Sequence, residues 1–562
     1  ATGSGKTLVI VKLVEFLHEL IKREEIPNHD ILILAHRDDL LEQLRDHVTE
    51  YNTTGDVYLN LHELRDYSEV KRAQPNLFSK NERTIFYYRS DNLSDEQKEK
   101  IIDFRNYDNH GRWYILLDEA HKGDREDSKR QQIYAIMSRN GFMFNFSATF
   151  TDPREIITTA FNFNLSEYIK KGYGKHIYIF DQETKAFRKK EDFTVSEKQK
   201  IILKALILLT YIKQSADTLK FLNSELYHQP LMMVLVNSVN TKDADLKLFF
   251  RELVRIGNGE IVEDQWYSAK SELIEEIAPQ PSYLYEGSVK LNIDIEAINA
   301  ITQKDILKAV FNSAEIGQIE VLKRPSDRKE IAFKMKTSDE PFALIRIGDV
   351  SEWLSKELQG YEINNSFKDE GFFERLNQST SSINLLLGSR SFYEGWDSNR
   401  PNVIMYINIG TGTDAKKFIL QSVGRGARIE PLPGYRKRFR NLKSSGVLSD
   451  DEQKIFNQVK GDIRPIESEF IFGTNKDALK TVIGELEQED DQADSHEISL
   501  KLNSEEIKDH LLLIPVFREQ DRLIYDERPM AKFTLSETNL NQLKSYLDYI
   551  DDDRLLLAMY GA

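Results

Sequence analysis

The first seven residues, ATGSGKT, hold the side chains needed to grip a phosphate. Gly3 and Gly5 let backbone N–H groups close on phosphate oxygens, with Ser4 between them. Lys6 can reach β- and γ-phosphates, and Thr7 can offer its hydroxyl to Mg2+ at the start of the next helix. A flexible turn ahead of a helix is the plainer reading of so short a pattern. The stretch LLDEAH at 116–121 weighs against it. Asp118 ends an apolar run, where a Mg2+-holding carboxylate belongs. Glu119 beside it can polarise an attacking water as general base. His121 is placed to couple the nucleotide state to a second lobe. An exposed acidic loop is the competing reading, and the pairing with a phosphate loop disfavours it.

Three further stretches gain meaning from order and position. Ser147 and Thr149 of SAT follow an apolar run, where such residues alone would make a turn. In QSVGRGARIEP, Gln421, Arg425 and Arg428 stand at i, i+4 and i+7, the spacing of one helical face. Two guanidiniums and an amide there suit a triphosphate held across a cleft, because Arg is a planar, permanently charged donor fork. A solvated basic helix face is the alternative, and Gly424 and Gly426 weaken the helical pattern. FYEGWD at 392–397 follows another apolar run, so Gly395 and Asp397 can reach the same cleft.

The elements that must position these residues are legible as patterns. Ile10, Leu13, Val14, Leu17 and Ile21 recur at helical spacing directly after the loop. DILILAH (30–36), WYILLDEAH (113–121) and GFMFNFSAT (141–149) read as buried parallel strands with polar carboxyl ends. In an open α/β sheet, ligands bind beyond those ends. PLMMVLVNS (230–238), FALIRIGDV (342–350), INLLLGS (383–389) and NVIMYINIG (402–410) are the strands of a second α/β region. Residues 245–341 interrupt it with helical pattern and short strands, GQIEVLK and EIAFKMK among them, and read as an inserted subdomain. GELEQEDDQADSHE at 484–497 reads as an acidic linker or exposed loop.

Composition narrows the class. The chain has 562 residues, of which 40% are hydrophobic and 30% charged, as in a globular protein of several domains. Without cysteine it cannot form disulfides, thiolate zinc sites or a thiol nucleophile. No long uncharged apolar run predicts a membrane span, and a cytoplasmic location is expected. The net charge of −16 argues against a simple basic coat for nucleic acid but leaves room for a local basic groove. GYRKRFRNLK at 434–443 is the strongest basic run; it can touch DNA or form a solvated loop.

In this order, ATGSGKT, DEAH, SAT, EGWD and QSVGRGAR resemble motifs I, II, III, V and VI of superfamily 2 helicases and translocases. The form EGWD, RPNV, QSVGRGAR is most similar to the restriction-enzyme branch, in particular the Res subunit of type III restriction enzymes. LAHRDDLLEQL at 34–44 resembles motif Ia and the motor subunit of type I enzymes. The resemblance covers roughly residues 1–440. It implies an α/β protein with two RecA-like parallel-sheet lobes, an inserted subdomain and a C-terminal extension. The expected division is 1–165 for lobe 1, 166–244 for the linker and start of lobe 2, 245–341 for the insert, 342–440 for the rest of lobe 2, and 441–562 for the extension.

Residue by residue, the resemblance puts Gly3, Ser4, Gly5, Lys6 and Thr7 on ATP phosphates, and Thr7 and Asp118 on Mg2+. Glu119 becomes the base, Arg425 and Arg428 arginine fingers, and Gln421 a contact near the γ-phosphate. Gly395 and Asp397 join the nucleotide cleft. His121, Ser147 and Thr149 link ATP state to DNA grip, and His36 and Arg37 lie near the DNA backbone. The implied activity is an ATP-driven motor on double-stranded DNA in a restriction or phage-defence enzyme, with a methyltransferase or specificity subunit as partner. An RNA helicase or remodeller, or a regulatory ATP-binding scaffold with slow hydrolysis, are the rival readings. Motif I normally follows a strand, so the numbering is expected to start inside a longer polypeptide. No nuclease motif is assigned: the nearest string, PSDRKEIAFK at 325–334, has the wrong spacing.

Overall fold

The protein is described by a computed structural model. The described residues are 5–36, 38–73, 81–118, 125–147, 159–180, 194–236, 244–324, 329–346, 350, 358, 361–365, 371–388, 398–407, 409, 413–474, 480–484, 486–487, 518–519 and 522–523. They fall into two compact units, divided near residues 162 and 163, and each is taken by itself.

The first unit is a five-stranded parallel sheet. Its strands are β1 (Asp30–Ala35), β2 (Tyr58–Glu63), β3 (Glu82–Arg89), β4 (Trp113–Asp118) and β5 (Phe142–Phe146), in the order β2-β3-β1-β4-β5. Strand residues alternate between two cores. Ile31, Ile33, Tyr114 and Leu116 pack with Ile10, Val11 and Val14 of α1 (Lys6–Lys22) and with Leu44 and Val48 of α2 (Asp38–Thr54). Leu32, Leu34, Trp113, Ile115 and Leu117 pack on the opposite face with Ile133 and Met137 of α3 (Arg125–Met137). Apolar residues at both phases are what a strand covered on both faces requires. Each such side chain contributes roughly 1.5–3 kcal/mol when fully buried. Two of the three runs read as buried parallel strands, β1 and β4, are therefore the centre of a doubly wound sheet, whereas the third, β5, ends the sheet and is partly exposed, because it has a paired neighbour on one side only.

The second unit holds a nine-stranded sheet. In chain order its strands are β6 (His176–Ile179), β7 (Leu231–Val236), β8 (Ile319–Lys323), β9 (Glu330–Met335), β10 (Pro341–Arg346), β11 (Ile363–Asn365), β12 (Leu385–Gly388), β13 (Pro401–Ile407) and β14 (Ser468–Gly473). Their spatial order is β11-β8-β9-β10-β12-β7-β13-β14-β6. The six strands from β10 to β6 run parallel, and β9 is antiparallel to both neighbours. The two short strands of segment 245–341 thus extend this sheet, and they share its core through Val321, Ile331 and Phe333.

A 28-residue helix, α4 (Val195–Leu222), starts at a Thr194–Glu197 capping box and is buried along most of its length. It packs against α5 (Glu263–Ile277) and α6 (Gln303–Phe311). The helical pattern of DIEAINAITQKDILKAVFN (294–312) forms two helices, Ile295–Ala300 and α6, because Thr302 and Asp305 form a capping box that starts α6. On the other face α7 (Thr413–Gly426) packs on β13, with Phe418, Ile419 and Val423 against Ile404 and Tyr406. The α/β architecture with two parallel-sheet units holds. Among the described residues, no helix is long and apolar enough to cross a membrane.

Candidate nucleotide site and the arginine helix

In the first unit the polar tips sit together at the carboxyl ends of adjacent strands. Asp118 is the last residue of β4, in register with Phe146 at the end of β5, and Ser147 follows it. His36 follows β1 on the other side of β4, as a half-buried bend before α2. Gly5 caps α1 with a left-handed backbone (φ 84°, ψ 25°) and accepts the first helical bond, from the Val9 N–H, at 3.0 Å. An L side chain is strained in that conformation, so a glycine is needed to turn the chain into the helix. The N–H groups of the first turn have no partner within the helix, and no acidic residue stands there. That leaves the helix end positive and open to an anion.

Lys6 and Asp118 connect the loop to the strand tip. The Lys6 Nζ lies 3.5 Å from the Asp118 Oδ1, and Asp118 is 7% exposed. A buried carboxylate needs a positive partner, and the ammonium supplies it. Asp118 and the Thr7 hydroxyl are hard oxygen donors beside a helix N-terminus, and they suit Mg2+ shared with phosphates. Among the described residues no cluster of three or more His, Cys, Asp or Glu could hold a metal by itself. Gly3, Ser4, Arg37, Glu119, His121 and Thr149 lie outside the described residues, as do Gly395 and Asp397.

The second unit explains the glycines of QSVGRGAR. The helix α7 runs through Gly424 to Gly426, so they do not break it early. Gly426 lies against the buried Glu469: a Cβ there would stand 1.9 Å from Glu469 Oε1 and 3.0 Å from Ile404 Cδ1. Ser422, fully buried, shares a 2.7 Å hydrogen bond with the Tyr406 hydroxyl of β13. With that face turned inward, Gln421 and Arg425 stay half exposed. Arg428 is not on the helix. It lies two residues past the last turn, in an antiparallel bridge with Gly174.

Lys175 fixes this end of α7. Its ammonium donates to the carbonyls of Gly426 at 3.2 Å, Asn399 at 2.8 Å and Pro401. Burial lowers its pKa to about 7, with Glu469 opposing, and burial pushes Glu469 well above the carboxylate range, with Lys175 opposing. Arg400 is locked in the same way. It is fully buried and donates to the carbonyls of Gln229, Leu376 and Ile383 at 2.9, 2.5 and 2.6 Å.

Comparison with known proteins bears on the first unit. Residues 1–152 match the family model for the type III restriction enzyme, res subunit. Over that stretch the chain is similar to the res subunit of type III restriction enzymes, the family that the motifs resemble. No curated protein matches the chain. Among solved structures, a point variant of S. cerevisiae Dbp5 bound to RNA and ADP BeF3 is similar at 11% identity and a TM-score of 0.30, over 87% of each chain. The ATP-dependent type ISP restriction-modification enzyme LlaBIII bound to DNA is similar at 11% identity and a TM-score of 0.27, over 87% of this chain and 31% of that enzyme. The Hef helicase domain of Pyrococcus furiosus gives 12% identity and a TM-score of 0.20, over 74% of this chain and 94% of that one.

Sequence reasoning missed Lys175, Glu469 and Arg400. Nothing in GYGKHIYIF marks Lys175 as buried, since a lysine ahead of a strand is usually solvated. The strand that carries Glu469, SEFIFG, is equally hard to foresee. Its one signal is the continuous apolar run of Phe470, Ile471 and Phe472, too short a pattern to rely on.

Proposed function

We propose that this chain is an ATP-driven motor on double-stranded DNA, working in a restriction or phage-defence enzyme. The observation that carries the reading is the Lys6–Asp118 pair, which joins the phosphate loop to the strand tip within one unit. The family match over residues 1–152 supports the restriction context. An arriving triphosphate would take Lys6 for its β- and γ-phosphates, and Thr7 and Asp118 would hold Mg2+, which neutralises charge on those phosphates. Gly3, Ser4 and Gly5 would cradle the phosphates, and Glu119 would orient and deprotonate the water. Gln421, Arg425 and Arg428 would act on triphosphate charge, and Gly395 and Asp397 would be further nucleotide contacts. His121, Ser147 and Thr149 would pass the nucleotide state to the DNA grip, and His36 and Arg37 would touch the phosphate backbone. Such contacts are sequence-blind, so target choice falls to a methyltransferase or specificity partner.

The deciding experiment is ATPase activity of the full chain alone, with duplex DNA and with RNA. Stimulation by the duplex is expected. Stimulation by RNA alone would make the protein an RNA helicase or remodeller, and slow turnover indifferent to both would make it a regulatory scaffold.

A further inference from the structure

A cavity of ≈ 530 Å³ opens in the second unit, away from the arginine helix. It lies at the amino ends of β14 and β6, where Ser468 pairs with His176. Lys175 turns to the α7 face of the sheet, and His176 turns to the opposite face, stacking on Tyr283 at 4.7 Å.

Cations line this cavity from three separate segments. They are Lys170, Arg438, Arg440, Lys443, Lys460 and Arg464. The carboxylates do not balance them. Glu286 is used by Arg438, which donates to its two oxygens at 2.9 and 3.0 Å, and by His176 Nδ1 at 2.6 Å. Glu467 is buried and accepts from the Phe439 N–H at 2.7 Å and the Tyr227 hydroxyl at 2.8 Å. Burial raises its pKa against those bonds. Among the described residues Arg440, Lys443 and Lys460 have no carboxylate partner. Arg438 is 3% exposed, and its Nε has no hydrogen-bond acceptor. Like charges gathered in a chain of net charge −16 are unfavourable unless an anion completes the set.

We propose that this cavity binds phosphates of a nucleic-acid backbone, as a contact apart from the nucleotide site. The shape of the charge favours a chain over a compact anion. Arg440 and Lys443 are exposed, and the run continues past the cavity to Arg436 and to Lys437, whose ammonium lies 4.3 Å from the Tyr173 ring. Backbone phosphates need only such point charges and make no demand on sequence. The proposal rests on the reading of the chain as a motor on nucleic acid.

The test is anisotropy of a labelled DNA duplex with the full chain, without ATP, across a salt series. The variant Arg440→Glu/Lys443→Glu/Lys460→Glu is compared with the wild type and with Lys304→Glu/Lys308→Glu, a charge reversal on the exposed face of α6. The cavity variant is expected to raise Kd at least about tenfold and to flatten the salt dependence by about 0.9 per lost phosphate contact. The control should bind like the wild type, and basal ATP hydrolysis should be unchanged in both. Wild-type Kd and salt slope in the cavity variant would overturn the proposal alone, whereas no duplex binding by the wild type would overturn the motor reading with it. A third arm measures thermal stabilisation by inorganic tripolyphosphate. Protection that the variant loses while its duplex affinity stays intact would assign the cavity to a free polyphosphate instead and overturn the nucleic-acid assignment.

Discussion

Lys6 and Asp118 pair at 3.5 Å, and the proposed nucleotide site is built on that pair. In the proposed mechanism Glu119 is the base and Asp118, next to it in sequence, is the Mg2+ carboxylate, so the two roles are separate. Glu119→Gln should keep ATP affinity near normal and lower kcat by roughly 10²–10⁴-fold, the usual worth of a positioned base. Nucleotide-binding titrations beside steady-state turnover check both halves, and near-normal turnover would remove Glu119 from the mechanism. The guanidiniums make a different demand. Arg425→Ala and Arg428→Ala should each reduce kcat by about 10³-fold while changing KM little, since an arginine finger acts on transition-state charge. Full kcat with a raised KM would show ordinary ground-state binding.

At the scale of elements, α7 is held by a close approach and a buried cation. Gly426→Ala would drive a Cβ into Glu469, on a helix pinned by Lys175 and by the Ser422–Tyr406 bond. A destabilisation of about 1–3 kcal/mol is expected from such overpacking, read as a fall in the denaturation midpoint. An unchanged midpoint would mean that Glu469 moves aside freely. The start of β6 has a pH dependence of its own. Burial lowers the His176 pKa from 6.5 to about 4, aided by Arg438 and Arg464 and opposed by Glu286. Between those values the unfolded chain binds a proton that the folded chain does not. The contribution is therefore complete above pH 6.5 and is lost as pH falls through 4, at up to about 1.4 kcal/mol per pH unit. Unfolding curves of the wild type should shift more steeply across that window than those of His176→Gln. Parallel shifts would show that His176 is not held neutral. Glu286, where hydrogen bonds from His176 and Arg438 outweigh burial, titrates below its ordinary range and adds its own loss at the acid end.

For the whole molecule, a net charge of −16 coexists with a strongly cationic cavity, so bulk charge is a poor guide to what the surface binds. The acidic groups also bear on nuclease chemistry. Glu330, in the string nearest to a nuclease motif, is buried and held by Arg324 at 2.8 Å and Arg346 at 3.1 Å. It serves the sheet and not a metal. Phosphodiester hydrolysis at neutral pH normally needs carboxylates that hold one or two Mg2+ ions at the scissile phosphate. The chain is therefore expected to leave supercoiled plasmid intact in Mg2+ and ATP. Nicking that co-purifies with the protein and survives Lys6→Ala would reveal a second active site.

The phosphate loop, the carboxylate at the strand tip and the central strands of both sheets are legible in one dimension. These are local signals: a glycine where the backbone must turn left-handed, an apolar run where both faces are covered, a charge where the run stops. The order of motifs, on which the family resemblance rests, is legible in the same way. Residue order does not reveal that β14 lies between β13 and β6, nor that Gly426 must be small because Glu469 sits against it. Helical spacing leaves Arg428 on a helix that ends two residues earlier. Lys175, Arg400, His176 and Arg438 look like ordinary surface residues until the chain is folded. Their burial depends on carbonyls and carboxylates up to a few hundred residues away, as Lys175 to Gly426 and Arg464 to His176 show. Folding alone brings such partners together, because desolvation and pairing are properties of the packed neighbourhood and not of the residue type.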